Sequence, residues 1–414
     1  MYDVCVIGGG AAGMSAAIAA ARTGANVIIL EKNNKLGRKL YATGNGRCNL
    51  SNTYMNFEKV YFSGDVHFKE FLSSVLGQTP ACDISEFMKS IGILTHERNG
   101  YIYPVSNQSS AVVWAMTDEL KKYGVTVILK ADIQSVAYET HTESGENSNI
   151  IIKLHKDIVK TRRLILATGG KSYASLGGDD SGYDIIKKLG MKMSELRPAL
   201  CPFIVDEDFK DIAGVRTNAS AWLFVDDEPK AFEKGELQIT DYGLSGIMIF
   251  NLSSLAGHAL SEKKRVTVRV DFLDKYDNAY IEDFIRAEEK RTIMGALNGL
   301  INDRLGGFLL KRTGIDTRTP VKALSDMQIT AVIDKIKGFT VEIKGLKDYE
   351  QAQVTAGGIE LSQIDDKTMR MKDMEAIYAA GEALDIDGIC GGYNLTFAIL
   401  SGKRAGESAA MSVS

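Results

Sequence analysis

Proline is scarce in this chain, six among 414 residues, while glycine is abundant at 40. That balance suits an α/β protein with tight strand-to-helix turns. No apolar run approaches the roughly 20 residues needed to cross a bilayer, so no membrane partner is expected. There is no basic block, and the net charge is −4, which gives no support to a nucleic-acid partner. The five cysteines (Cys5, Cys48, Cys82, Cys201, Cys390) are odd in number and never in C-x-x-C spacing. They read as reduced thiols, not as a disulfide or zinc framework, and no metal centre is expected. None of the five histidines stands in a motif with base or metal spacing. A strand begins almost at Met1, leaving no room for a signal peptide, so the expected compartment is the cytoplasm and the expected partner a small-molecule substrate.

What is present lies mostly at the two ends. At this length two or three domains are expected. "YDVCVI" is a short apolar run suited to a strand buried on both faces of a parallel sheet. Gly8, Gly10 and Gly13 follow in G-x-G-x-x-G spacing with Ala11 and Ala12 between them, then a small-residue helix closed by Gly24. "ANVIILEK" is a second buried strand ending at Glu31 and Lys32. Glu31 lies 23 residues beyond Gly8, where a βαβ nucleotide-binding unit places the carboxylate that meets a ribose hydroxyl. FAD and NAD both suit such a unit.

The next stretch, "KLGRKLYATGNGRCNLSN" (residues 35–52), is long, basic and rich in glycine and asparagine. Arg38, Lys39 and Arg47 offer charge to a pyrophosphate; Asn45 and Asn49 offer amides. Gly37, Thr43, Gly46 and Cys48 complete the candidate cofactor contacts of this loop. Long loops of this kind are more often functional than decorative.

Near the other end, "MEAIYAAGEALDIDG" reads as a strand running into Gly381 and Glu382, with Asp385 beyond. Glu382 and Asp385 are placed to meet the hydroxyls of a ribityl chain. Gly388 and Gly392 then open a helix from about Asn394 and Leu395. A helix N-terminus stabilises negative charge by roughly 0.3–2 kcal/mol, and a reduced flavin is anionic around N1 and the C2 carbonyl. A nicotinamide has no such need, so the two ends together point to FAD: the first turn for its ADP half, the last for its isoalloxazine. "TRRLILATGG" is a third buried strand, ending at Ala167, Thr168 and Gly169 under the cofactor. "GVTVILKADIQSVAY" and "NIIIKLHKD" read as strands of a small antiparallel crossover, with Ile133 beside the adenine.

These segments resemble a bacterial family of FAD-binding flavoproteins, the aminoacetone-oxidase-like or BaiN-like oxidoreductases of the glutathione-reductase-type superfamily. The similar pieces are "GGGAAGMSAA", "LGRKLYATGNGRCNLSN", "GYIYPVSNQSSAVVWAM", "LATGGKSYASLGGDDSGYDIIKKLG", "YGLSGIMIFNLS" and "GEALDIDGICGGYNLTFAILSGKRAG", spread over essentially the whole chain. The resemblance implies an α/β fold: a Rossmann-like FAD-binding domain (1–194 and 347–414), an inserted β-rich domain (195–273 and 339–346), and a small helical subdomain (274–338). Two segments depart from the family pattern. Ser172-Tyr173-Ala174 stands where the family tends to have Ser-Tyr-Pro, and "TDYGLSGI" stands where it has "THxGLSGP".

The resemblance implies redox chemistry at the flavin, with the protein supplying orientation and electrostatics. No second G-x-G-x-x-G follows a strand, which leaves NADH or NADPH as a transient reductant without a domain of its own. Reduction of a conjugated ketone of steroid or bile-acid type needs a proton donor, for which Tyr173, Tyr242 and Tyr393 are the candidates. Oxidation of a small amine or aminoketone is the alternative; a sensor or partner-binding protein with structural FAD is another. Reduction is the preferred reading. The expected substrate position is between the isoalloxazine and the turn at 240–246, with Tyr242 and Tyr393 lining it. Cys48 and Cys390 read as small packed thiols in preference to a redox pair.

Overall fold

The computed structural model describes residues 1–139 and 149–413. The chain divides into two compact units, Met1–Arg197 with Val354–Ser414, and Pro198–Gln353.

The first unit is built on a sheet whose central strands are parallel. Its order runs Arg370–Met371, Met374–Ala379, Ile158–Leu166, Tyr2–Ile7, Val27–Glu31, Thr126–Leu129. Tyr2–Ile7 lies at the middle, pairing in parallel with both Ile158–Leu166 and Val27–Glu31. Val27–Glu31 is buried at every residue, as a continuous apolar run in a covered parallel sheet must be. Four elements come from the first 166 residues and Met374–Ala379 from the far end, so the strand that leads to the last turn pairs beside Ile158–Leu166.

The stretch from 124 to 138 is not one antiparallel piece. Thr126–Leu129 joins the parallel sheet beside Val27–Glu31, and only Ile133–Glu139 pairs antiparallel with Asn149–Leu154. The cause is local. Lys130 adopts φ +55°, and the N–H groups of Lys130 and Ala131 donate to the carbonyls of Asn33 and Glu31, so the chain turns out of the sheet there.

Two helices cross at the centre of this unit, Ala11–Arg22 from the first turn and Tyr393–Met411 from the last. Their backbones touch. A Cβ on Gly402 would fall 2.2 Å from the Ala12 carbonyl oxygen, and one on Gly406 2.0 Å from that of Ala16. The alanines of "AAGMSAAIAAAR" and the glycines of "GKRAG" therefore serve one purpose, close approach of two helices that no larger side chains permit.

The second unit is a closed antiparallel barrel ordered Phe203–Val205, Gly243–Ser245, Glu228–Ile239, Arg216–Val225, Val266–Asp271, Phe339–Leu346. In Arg216–Val225 the apolar residues Ala219, Ala221, Leu223 and Val225 are buried at the period of two of a barrel wall, and Ser220 between the first two is buried as well. The helices Asn278–Ala287, Ile293–Leu297, Asp303–Lys311 and Asp326–Lys337 lie between its last two strands in sequence.

Candidate functional site

The first turn is shaped by steric necessity. A Cβ on Gly8 would lie 2.2 Å from the Ala167 carbonyl oxygen, and one on Gly13 1.8 Å from that of Gly8. At Gly10 a Cβ would meet nothing within 4 Å. Gly10 is the N-cap of the opening helix and no side chain caps it. The first turn of this helix is thus without a side-chain cap, with open space beside Gly10 at the positive end of the helix dipole. This is a cradle for a phosphate group, and it fits the pyrophosphate of FAD.

Glu31 is buried, and it holds the turn. Its Oε2 accepts from the Gly9 N–H at 2.6 Å; its Oε1 accepts from the backbone and side-chain nitrogens of Asn33 at 2.7 and 2.6 Å. A carboxylate has about four acceptor positions, so one remains for a ribose hydroxyl. The neighbouring Lys32 is ion-paired with Asp179.

The basic loop is tied inward. Gly37, at φ +68°, donates to the Gly9 carbonyl at 2.8 Å. Arg38 donates to Asn33 Oδ1 and to the Ser175 carbonyl, both at 2.8 Å. Lys39 pairs with Glu382 at 2.9 Å. The Thr43 hydroxyl donates to the Leu40 carbonyl. Asn45 and Gly46 both have positive φ, and Asn45 and Arg47 are exposed. Cys48 is buried, and its thiol is pushed up to about 11 by that burial, which makes it a packed thiol and not a nucleophile. Asn49 Oδ1 is buried and has no hydrogen-bond partner.

The last turn meets this loop directly. Gly381 donates to the Ser401 hydroxyl. Glu382 accepts from the Thr355 N–H at 3.0 Å as well as from Lys39. Asp385 accepts from Gly64, and burial raises its carboxyl above the usual range. Asn394 clamps Gly388 from both sides, accepting from its N–H at 2.9 Å and donating to its carbonyl at 2.7 Å. Gly392, at φ +94°, sits so close to the loop that a Cβ would be 2.7 Å from Ser51 N and 2.9 Å from Asn49 Oδ1. Leu395 is half-buried against the core. Thr168, at the end of Ile158–Leu166, has a buried hydroxyl without a partner, and Gly169 follows at φ +71°. Ile133 lines a small cavity with Ser181, Ile185 and Lys188.

The three tyrosines differ sharply. Tyr393 is 3% exposed; its hydroxyl donates to the Tyr54 carbonyl, its ring packs edge-on against Tyr61, and its carbonyl accepts from the Tyr61 hydroxyl. It is a core residue. Tyr242 belongs to the second unit, where Lys347 lies over its ring at 3.8 Å. Tyr173 is half-buried in the first unit at φ +58°, a left-handed conformation uncommon for an aromatic residue. Burial, and after it the nearby Cys390 thiol, holds its phenol above the usual tyrosine range, so it keeps its proton at neutral pH.

Residues absent from the sequence reading complete the arrangement. Asn33 links Glu31 to Arg38. Buried Thr355 accepts from the N–H groups of Lys171 and Ser172 and shares a hydrogen bond with the Ser172 hydroxyl. Its one sequence signal is the pair of glycines that follows, in "TAGG". Among the described residues no cluster of His, Cys, Asp or Glu is arranged to hold a metal ion, and no helix is long and apolar enough to cross a membrane.

The family described as "HI0933-like protein Rossmann domain" matches residues 2–408. The chain is 35% identical over 417 residues to a "3-dehydro-bile acid delta(4,6)-reductase" of Clostridium scindens, covering 99% of both chains. It is 28% identical over 401 residues to a "Ribosomal RNA dihydrouridine synthase" of Escherichia coli, covering 96% of this chain and 95% of the other. Among solved structures, a 3-ketosteroid delta1-dehydrogenase of Sterolibacterium denitrificans in complex with 1,4-androstadiene-3,17-dione matches 99% of both chains at 12% identity with a TM-score of 0.51, a likeness of fold alone.

Proposed function

The chain belongs to the HI0933-like family of FAD-binding Rossmann oxidoreductases, and from that premise we propose that it saturates a carbon–carbon double bond conjugated to a carbonyl. The observation that carries this reading is the similarity, over 99% of both chains, to a bile-acid delta(4,6)-reductase. The substrate class is then a 3-oxo steroid or bile acid with a ring double bond, and NADH or NADPH is the reductant.

The residues divide the work. Gly10 and the N–H groups behind it would hold the pyrophosphate, Glu31 the adenosine ribose, and Glu382 with Lys39 the ribityl side. FAD held there would supply, in its reduced form, the hydride for the β-carbon. The α-carbon then needs a proton, and Tyr173 is the candidate donor that remains in the first unit, since the Tyr393 hydroxyl is committed to the Tyr54 carbonyl. One hydride and one proton add across the double bond, and the phenol recovers its proton from water.

A second reading has its own support. Two relatives at 28% and 26% identity carry the name ribosomal RNA dihydrouridine synthase, and the double bond of uracil is also conjugated to a carbonyl. The chemistry would be the same and the substrate a uridine in RNA. The net charge of −4, from which no nucleic-acid partner was expected, does not separate the two.

The test is anaerobic oxidation of NADH or NADPH by the holoprotein with either 4-androstene-3,17-dione or a uridine-containing ribosomal RNA fragment. Turnover with the enone supports the main reading; turnover with RNA alone moves the assignment to the second. Bleaching of the oxidised flavin by aminoacetone, with no turnover of either, would overturn both in favour of an oxidase.

A further inference from the structure

The turn that carries Tyr173 is held from two sides by networks that pass through two neighbouring residues, Arg38 and Lys39. On one side Glu31 holds Asn33, Asn33 accepts from Arg38, and Arg38 donates to the Ser175 carbonyl. A Cβ on Gly177 would fall 2.5 Å from Asn33 Oδ1, so the turn rests on that amide. On the other side Lys39 pairs with Glu382, and Glu382 accepts from the Thr355 N–H. Thr355 Oγ1 in turn accepts from the N–H groups of Lys171 at 3.0 Å and Ser172 at 3.2 Å, and lies 2.9 Å from Ser172 Oγ.

The space around this second network is filled. Thr355 and Ser172 are both 0% exposed. A Cβ on Gly170 would lie 2.4 Å from Glu382 Oε1 and 2.6 Å from Thr355 Oγ1, and one on Gly178 would lie 1.9 Å from the Ser172 carbonyl oxygen. The Tyr173 carbonyl accepts from Leu176 and Gly178 at 2.8 and 3.2 Å. A left-handed aromatic residue persists only where its surroundings over-determine it, and the two amides just before Tyr173 are fixed by one hydroxyl.

We propose that Thr355 is a positioning residue: by binding the Lys171 and Ser172 amides while its own N–H engages Glu382, it locks the phenol of Tyr173 in place relative to the ribityl-side carboxylate. The inference rests on the reading of Tyr173 as proton donor. It assigns a role to a residue that acts through the backbone before Tyr173. An isosteric valine keeps the volume and removes the acceptor, leaving two buried amides unpaired; a serine keeps the acceptor.

Amide hydrogen exchange and single-turnover kinetics together test this. In Thr355→Val, exchange at Lys171 and Ser172 should speed up at least tenfold while Val4–Ile7 and Leu164–Leu166 keep wild-type protection. Reoxidation of the dithionite-reduced holoprotein by 4-androstene-3,17-dione should slow at least tenfold, and flavin content should stay within twofold of wild type. Thr355→Ser should restore both rates to within threefold. Unchanged exchange at 171 and 172 would overturn the inference, as would loosened amides with wild-type reoxidation. Thr355→Val that fails to fold while Thr355→Ser behaves as wild type, but Thr355→Ala folds with unaltered exchange at those amides, would overturn it too. Tyr173→Phe separates the premise: if it reoxidises at the wild-type rate, the phenol is not the donor; if it is slow while Thr355→Val is not, Tyr173 stands and the role of Thr355 falls.

Discussion

At the first turn a Cβ on Gly10 would meet nothing within 4 Å, whereas at the last turn a Cβ on Gly392 would lie 2.7 Å from the backbone nitrogen of Ser51. Both positions precede a helix, and both lie in glycine-rich strings. The first is shaped largely within its own βαβ unit, Gly13 against Gly8 and Gly9 held by Glu31, with Ala167 of the adjoining strand closing on Gly8. It presents an uncapped helix end to open space. The last is shaped by distant chain. Ser51 bonds Thr396, Asn52 donates to the Gly391 carbonyl, Gly64 donates to Asp385, and Tyr61 donates to Tyr393. One turn is a cradle; the other is a joint that fastens the far end of the chain onto the segment of residues 49–64.

Breaking either turn at its tightest point should have the largest effect. Gly13→Ala places a methyl group 1.8 Å from a backbone oxygen and should cost about 3 kcal/mol or more, seen as loss of bound flavin and a lower melting temperature. A variant that keeps both would show that the turn has room it does not display.

The contrast itself is sharpened by a matched pair measured without flavin. Gly392→Ala forces an L-residue to φ +94° against Ser51 and should destabilise the apoprotein by about 1–3 kcal/mol. Gly10→Ala, at φ −81° with no neighbour, should leave apoprotein stability unchanged and weaken FAD binding. Equal urea midpoints for the two apoproteins would remove the distinction.

Glu31→Ala should weaken FAD retention by about 1–3 kcal/mol, the cost of losing hydrogen bonds to a charged group, as read by flavin dissociation. Because Glu31 also holds Asn33, the loss should extend to Arg38 and the Ser175 turn, visible as faster exchange there.

The smallest effect concerns pH. Burial raises the Asp385 carboxyl in the folded protein, so the native state binds that proton more tightly than the unfolded chain does. This contribution to stability is present at low pH and is lost as pH rises from about 4 through the raised value. Asp385→Asn should flatten the fall in urea midpoint over that window. An identical pH profile would show that Asp385 titrates normally.

Much of the first turn was legible because its determinants are close in sequence: glycine spacing, an apolar strand on each side, and an acid where the second strand ends. The parallel sheet followed from the same apolar runs. The last turn was legible as a helix start but not as a joint, since nothing in "GICGGYN" names Ser51 or Asn49. Asn394 was read as the beginning of the closing helix, while its side chain spends both ends on Gly388. Arg38 and Lys39 were read as charges for a pyrophosphate, and their side chains engage Asn33, Ser175 and Glu382. Thr126–Leu129 was misjoined to the crossover because alternation does not reveal where a chain leaves a sheet. Thr355 was missed because a lone threonine before two glycines has no periodicity; its meaning lies in the two amides it binds.

The central claim is that this chain holds FAD between its two ends and uses it to saturate a conjugated double bond. A single anaerobic turnover tests it most directly: dithionite-reduced holoprotein mixed with 4-androstene-3,17-dione, followed by visible absorbance and by mass spectrometry of the ketone. The account predicts that the oxidised flavin spectrum returns and that one ketone per flavin gains two hydrogens. A flavin that stays bleached with the enone and with uridine-containing ribosomal RNA, yet reoxidises at once in air, would contradict it.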